Sequence, residues 1–503
     1  MFEAIIAALS VLISFKGILF VFLGCVWGLI LGALPGVGGP TGLILLLPLT
    51  FGMDPMLAML LYVGVMGGSP FGGSISAILL NVPGTPINAA TCFDGYPMAR
   101  KGEAGKALGI SATASCMGAL FGLTILAALL PVARAIILAF TPPEFFMIVL
   151  FGLATVVITS RGNMIKGFIA GGIGILLSFV GYCGVTGDVR YSLGTEYLWD
   201  GIELVPLFIG IFAISEALHL SVGKRGTIAD QGIALTKLGG AWLGFKEVFR
   251  RKWCFLRGSA IGTIIGIIPG VGGTVANFIS YTVTVQLSKH PETFGRGNPE
   301  GVLASESANN AKDGGALVPT IVFGIPGSLE MAILLGAFIL HGLVPGPAML
   351  QDHLDLVWIL ILGLALSNII ASSLGFFLIK ILVRITTVNL AYIVPVIVVL
   401  SFTGVFAMRT EVWDILVTAI FGLVGYGMRR HGFPLVPLVI GYVLGAIAEK
   451  AFHQSLMVAD GSYSIFVNRP IAATLLIVTL LSLSVPFLLS KRTSKGDEHN
   501  ETP

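Results

Sequence analysis

Charge is scarce in this sequence. Asp, Glu, Lys and Arg make up 11% of its 503 residues, against 55% hydrophobic ones, whereas soluble globular chains carry about a quarter charged residues. That shortage excludes an ordinary soluble domain. Cysteine is also sparse: Cys25, Cys92, Cys116, Cys183 and Cys254 are scattered without a CxxC or CxxCH spacing. They suggest small packing residues and no disulfide framework, metal centre or haem. No GxxxxGK[ST] loop is present, and GVGGPTG at 36–42 lacks the lysine that would make it one. HExxH, GxSxG and paired-carboxylate motifs are likewise missing, so neither ATP-driven chemistry nor a common hydrolase is expected. The first residues, MFEAIIAALS, lack a basic leader and a small-residue cleavage site and are not read as a removable signal peptide.

What is abundant is apolar sequence, with a mean hydropathy of +0.95. Apolar runs fall at about 17–34, 54–68, 104–130, 143–158, 164–180, 200–221, 258–269, 329–341, 354–379, 388–405, 411–427, 434–449 and 471–490. Runs of about 17–25 apolar residues cross a bilayer as helices, and these are too long and too uniform for the alternating strands of a membrane barrel. The fold class is therefore an all-α polytopic membrane protein with roughly 10–14 membrane segments. Shorter apolar pieces at 40–52, 74–82, 274–287 and 315–325 read as half-helices or hairpin arms, tolerated in a membrane only where protein or a cavity satisfies the backbone.

The polar connection 221–257 carries Lys224, Arg225, Lys237, Lys246, Arg250, Arg251, Lys252 and Arg257 against Asp230 and Glu247. By the positive-inside rule it is cytoplasmic. The 94–106 loop, Arg429–Arg430 and the tail 491–503 count to the same side, and 181–199 and 450–470 to the other. The trio Arg250-Arg251-Lys252 is expected to anchor at anionic lipid.

Pro35-Gly36-Val37-Gly38-Gly39 recurs as Pro269-Gly270-Val271-Gly272-Gly273. Gly72-Gly73 and Pro83-Gly84-Thr85 have echoes in Gly314-Gly315 and Pro326-Gly327-Ser328. The chain thus reads as two repeats, 1–220 and 258–490, joined by the basic linker 221–257 and followed by a polar cytoplasmic tail, 491–503. Counting sides places equivalent helices in opposite directions, an inverted-topology repeat of the kind found in secondary transporters.

Proline inside a helix costs roughly 3 kcal/mol and glycine about 1 kcal/mol, so a break repeated in both halves should have a use. Glycine-rich turns aim consecutive N–H groups at one anion, and the helix that follows adds a positive dipole end. Gly36, Gly38, Gly39, Thr41, Gly270, Gly272, Gly273 and Thr274 at the first breaks are therefore candidate substrate-binding residues. Gly73, Ser74, Gly84, Thr85, Gly327 and Ser328 at the second breaks join them. The most polar stretch at membrane depth, 305–328, holds Glu306, Asn309, Asn310, Lys312 and Asp313. Asn309 and Asn310, with donors and acceptors both, suit a carboxylate or hydroxyl, and Glu306 with Asn277 is the candidate coupling-ion site. Lys312–Asp313 also fits a solvated pair on a hydrated turn. Glu144, Glu216 and Glu449 sit at predicted helix ends, where snorkelling is the default. Gly174 reads as an ordinary packing glycine.

LGALPGVGGPTGLILLLPLTFGMDP at 31–55, GGSISAILLNVPGTPINAATCFDGYPMARKGEAGKALG at 72–109 and SESANNAKDGGALVPTIVFGIPGS at 305–328 resemble the large membrane subunit of the tripartite tricarboxylate transporters. The resemblance runs from about 17 to 450. It implies a multi-pass subunit of the bacterial inner membrane that imports di-, tri- or related carboxylates on a proton or sodium gradient. It further implies a small membrane subunit and a periplasmic solute-binding protein as partners, with no nucleic acid, no metal and no cofactor beyond the coupling ion. The rival reading is a membrane-embedded enzyme or lipid-modifying protein, whose chemistry would have to come from Glu306, Lys312 and Asp313.

Overall fold

The computed structural model describes residues 1–34, 37–137, 140–158, 164–222, 239–386 and 390–497. Of the expected linker, 223–238 lie outside the described residues, as do 498–503 of the tail. The chain is helical almost throughout. Its first helices are α1 (Phe2–Ile13), α2 (Phe15–Ala33), α3 (Gly38–Thr50), α4 (Pro55–Leu80), α5 (Ala89–Met98) and α6 (Ala104–Ile137). After them come α7 (Pro142–Ile158), α8 (Met164–Ser178), α9 (Leu204–Phe208), α10 (Ser215–Val222), α11 (Ala241–Arg250) and α12 (Lys252–Ile267). Then follow α13 (Gly272–Leu287), α14 (Pro299–Phe323), α15 (Leu329–Leu340), α16 (Pro347–Gln351) and α17 (Leu354–Thr386). The last are α18 (Leu390–Arg409), α19 (Val412–Arg430), α20 (Leu435–Val458), α21 (Ile465–Asn468) and α22 (Pro470–Asp497). Among the described residues, seven helices are long and apolar enough to cross a membrane, which makes this an all-α polytopic membrane protein.

Two compact units divide the chain: 1–134 with 204–426, and 135–203 with 427–503. Each of the expected halves, 1–220 and 258–490, is shared between them.

In the first unit the packing is set by glycine. Gly24, Gly28 and Gly32, one turn apart on α2, lie against the backbone of α4, so that a Cβ would stand 2.3 Å from the Leu61 carbonyl oxygen, 2.5 Å from that of Val65 and 2.2 Å from that of Ser69. Gly262 and Gly266 on α12 meet the carbonyls of Ala308 and Lys312 on α14 at 2.4 and 2.3 Å in the same way. Such close backbone approach is what small residues at turn spacing provide in membranes. The two sets of contacts are equivalent, and they align Ser69 with Lys312.

The breaks repeat as well. Leu34 after α2 (φ −78°, ψ 109°) and Ile268 after α12 (φ −80°, ψ 114°) leave the helix with one geometry. Gly38 and Gly272 then open α3 and α13 at φ +68° and +73°. At the far ends, α4 stops at Asn81 and α14 at Gly324, both left-handed, with φ +57° and +69°. Gly84 and Gly327 fold back so that an added Cβ would come 2.0 Å from the Gly32 carbonyl and 3.0 Å from that of Gly266. These contacts make Gly72 the equivalent of Gly315, one residue away from the pairing expected from the glycine doublets.

Two expected half-helices are not separate. Segment 74–82 belongs mostly to α4, and 315–325 mostly to α14. Helix α14 starts at Pro299 with the Asn298 side chain accepting from the Glu300 N–H at 2.9 Å, a strong start signal. It continues through Gly314 because that glycine packs on α6, where an added Cβ would lie 2.2 Å from Gly122 backbone.

Helix α11 is amphipathic and docks on α6 through Gly244, whose Cβ would meet the Lys106 carbonyl at 2.3 Å. Glu247 pairs with Arg251 at 3.0 Å and Lys106 at 3.5 Å, and Arg251 pairs in turn with Glu300 at 2.5 Å. Arg251 is therefore paired with protein carboxylates on two sides. Burial pushes the Glu247 carboxyl up, but Arg251 and then Lys106 outweigh it and hold it below the ordinary range.

The second unit packs α7, α8, α20 and α22 together and includes a two-residue ribbon, Gly181–Tyr182 with Val189–Arg190. Two of its acids, read from the sequence as snorkelling at helix ends, are paired within the protein. Glu144, 1% exposed, accepts from Thr141 N at 2.9 Å and meets Arg469 Nε at 2.8 Å. Glu449 is held by both terminal nitrogens of Arg190, at 2.7 and 3.0 Å. Gly174 of α8 is no ordinary packing residue either, since a Cβ there would sit 2.0 Å from the Leu438 carbonyl.

Candidate functional site

Both PGVGG breaks converge on one buried ammonium. Lys312 and Asp313, each 2% exposed, lie on α14 with Lys312 Nζ 2.6 Å from Asp313 Oδ1. Glu330 Oε2, from the first turn of α15, is 3.8 Å from the same nitrogen. The three line a cavity with Gly39 and Leu43 of α3, Ser69 and Pro70 of α4, and Thr85 and Ile87. Gly273, from the other break, lies on the Lys312 stem, with 2.7 Å between an added Cβ and Lys312 Cε. Four residues further along α13, Asn277 donates to the Ile87 carbonyl at 2.8 Å. The cavity, of about 20 Å³, has room for about one water and none for an organic acid.

Equivalent positions of the two halves line this cavity. The matched carbonyls align Ser69 with Lys312 and Pro70 with Asp313, and the aligned Gly84 and Gly327 carry the register on to Ile87 with Glu330; Thr85 lines the cavity while its equivalent, Ser328, does not. The first half supplies neutral groups; the second supplies the charges.

A second polar cluster lies within the same unit. Glu306, fully buried on α14, accepts from Ser74 Oγ at 2.8 and 2.9 Å, Thr91 Oγ1 at 2.5 Å and Ser115 Oγ at 2.8 Å. Its partners come from α4, α5 and α6. Hydroxyl donors to a carboxylate are the strong, charge-assisted kind of hydrogen bond. The cluster connects to the cavity through a chain of donors: Thr85 Oγ1 to Asn88 Oδ1 at 2.6 Å, Asn88 Nδ2 to Ser74 Oγ at 2.8 Å, and Ser74 to Glu306.

The expected site residues separate accordingly. Gly39 and Thr85 line the cavity, Gly38 touches the Thr85 methyl at 3.3 Å from its would-be Cβ, and Gly273 supports Lys312. Ser74 belongs to the Glu306 cluster, and Gly73 leaves space for Asn88, whose Oδ1 would be 2.2 Å from a Cβ. Thr41 and Ser328 serve the backbone, Thr41 Oγ1 donating to the Val37 carbonyl at 2.7 Å and Ser328 Oγ accepting from Met331 N at 3.4 Å. Gly84 and Gly327 make close packing contacts. Gly270 is left-handed at φ +76°, Thr274 is half-buried, and Gly36 lies outside the described residues. Asn310 donates to Asn368 Oδ1 at 2.6 Å on α17, away from the cavity-lining set, and Asn309 is buried with neither amide atom partnered. Neither asparagine lines the cavity.

Lys312, Asp313 and Glu330 were not among the expected binding residues, and the solvated-turn reading of Lys312–Asp313 is corrected by their burial. The signal that finds them is the helix frame Asn298–Pro299 to Gly324, which carries the pair into the middle of one continuous helix.

A many-spanning helical chain with paired helix breaks around a buried polar centre is of the class in which secondary transporters fall. Residues 18–440 match the tripartite tricarboxylate transporter TctA family, and the chain belongs to that family, whose members are membrane components of tripartite transporters. An uncharacterized 52.8 kDa protein in the TAR-I ttuC' 3' region of Agrobacterium vitis is 34% identical over 479 residues, 95% of this chain and 94% of the relative. An uncharacterized protein in the TAR-II ttuC' 3' region of the same organism is 35% identical over 234 residues, 46% of this chain and 97% of the relative. No solved structure matches.

Proposed function

We propose that this chain is the translocating subunit of an importer of small carboxylates, working with a small membrane subunit and a periplasmic solute-binding protein in a bacterial inner membrane. The observation that carries the reading is the meeting of both PGVGG breaks at one charged cavity, lined by equivalent positions of two repeats. In this reading the repeats have opposite topology, and the cavity is the closed form of a site that opens to each side in turn. A dianion or trianion leaving water needs replacement for its hydration; the break N–H groups, the dipole ends of α3 and α13 and Lys312 would provide it.

Glu306 is the proposed coupling site. It is a buried carboxylate surrounded by hydroxyls, which suit either a proton or a sodium ion, and the Thr85–Asn88–Ser74 chain gives it a mechanical connection to the cavity. The test is uptake of labelled citrate, succinate and benzoate into vesicles that hold the membrane subunits, with the binding protein added outside. Uptake that requires both the binding protein and an ion gradient supports the reading. Catalytic turnover of a lipid or acid without movement across the membrane would replace it with the enzyme reading.

A further inference from the structure

Lys312 is an ammonium with an unequal set of partners. Asp313, its neighbour on α14, takes one N–H at 2.6 Å. Glu330 stays at 3.8 Å, too far for a hydrogen bond, and its side chain is 16% exposed where those of Lys312 and Asp313 are 3%. An ammonium has three donors, so Lys312 can accept a further anion without giving up Asp313. Position adds to this. Glu330 lies in the first turn of α15, just after the Pro326-Gly327-Ser328 break, while Lys312 leans on Gly273 of the PGVGG break.

We infer that Lys312 is the anchor for a carboxylate of the transported acid, and that Glu330, held beside this anchor at 3.8 Å, supplies the second counter-charge when no substrate is bound. The inference rests on the carboxylate-carrier reading and names the group that binds. A substrate carboxylate displaces Glu330 and keeps Asp313, so the charge around the ammonium is the same loaded or empty. That matters for a carrier that must return empty. A buried ammonium left with one partner in a closed cavity is unfavourable, and Glu330 stands in for the substrate during the return. Charge counting also bounds the substrate. One cation faces two resident carboxylates, so a single substrate carboxylate is ion-paired at Lys312, and any others are held by backbone N–H groups at the breaks.

The experiment uses the complete assembly in proteoliposomes, with citrate, succinate and benzoate as labelled probes. Two rates are measured: net uptake into substrate-free vesicles, and exchange against the same unlabelled acid inside. Lys312→Gln should raise the half-saturation concentration at least tenfold for every acid that the wild type carries. The double variant Lys312→Gln/Asp313→Asn removes the pair without orphaning Asp313 and should show the same loss at normal abundance. Glu330→Gln should lower half-saturation several-fold and slow net uptake more than exchange, because only net uptake requires the empty return. The inference is overturned if the double variant binds like wild type, or if Glu330→Gln slows both rates equally with half-saturation unchanged. A wild-type assembly that carries none of the acids with the binding protein and a gradient present would overturn the carrier reading, and this inference with it.

Discussion

Replacing Gly272 by alanine separates the backbone conformation of the second break from any steric effect. Gly272 sits at φ +73° with nothing within 4 Å of the place a Cβ would take. The remaining cost is that of left-handed backbone in a residue with a Cβ, about 1–2 kcal/mol. If the broken geometry holds the substrate, that cost shifts its equilibrium with unbroken alternatives by about five- to thirtyfold, and uptake should fall by up to that factor. A fold with a margin of about 5–15 kcal/mol should still insert and be recovered. Gly38→Ala meets a similar backbone cost at φ +68° and adds a contact 3.3 Å from Thr85 Cγ2, so its loss should be at least as large. The control is Gly172→Ala on α8, helical and with open space around it, which should leave uptake unchanged. The assay is the initial rate of labelled-acid uptake divided by the amount of protein in the membrane, with the melting temperature measured beside it. Wild-type rates for Gly272→Ala and Gly38→Ala at wild-type abundance would refute the reasoning and leave the glycines a packing role alone.

Gly174→Ala, by contrast, drives a methyl group to 2.0 Å from the Leu438 carbonyl and should cost about 1–3 kcal/mol of stability, seen as a lowered melting temperature with substrate affinity intact. Arg469→Ala leaves Glu144 buried without its cation. Because Arg469 is 38% exposed, the loss should be about 2–3 kcal/mol, below the range for a fully buried pair, and Arg469→Ala/Glu144→Gln should recover most of it in the same melting assay. Glu247 is held below its ordinary value, so the stability it contributes is present above pH of about 4.3 and lost as pH falls through its lower folded value. Fluorescence of Trp242 on α11 should report release of that helix under acid, and Glu247→Gln should remove the pH dependence.

The apolar runs, the repeated PGVGG string and the polar character of 305–328 were legible in the sequence because each is a local pattern with a local physical cause. The charged centre was less so. Lys312–Asp313 followed by Gly314–Gly315 has the composition of an exposed turn, but α14 is packed there on both sides, Gly314 on Gly122 of α6 and Gly315 on Thr263 of α12. Composition alone likewise does not reveal that Arg251, Glu144 and Glu449 each have a partner distant in the chain. The glycine doublets misaligned the repeats by one residue because doublets can pair in two registers, whereas carbonyl contacts to Gly28, Gly32, Gly262 and Gly266 allow one. Asn309 and Asn310 drew notice for their polarity, yet the cavity is lined by residues two and three positions further along the same helix.

Glu306 carries the central claim that transport is driven by an ion gradient. Glu306→Gln keeps the size of the side chain and its place among Ser74, Thr91 and Ser115, whose hydroxyls can turn to accept from the amide. The decisive measurement is uptake of the carried acid by the assembly in proteoliposomes, with an imposed proton gradient, an imposed sodium gradient, or neither. The account predicts that one gradient concentrates the acid above equilibrium in wild type, and that Glu306→Gln only equilibrates it whichever gradient is applied. Equal gradient-driven accumulation by wild type and Glu306→Gln would contradict it.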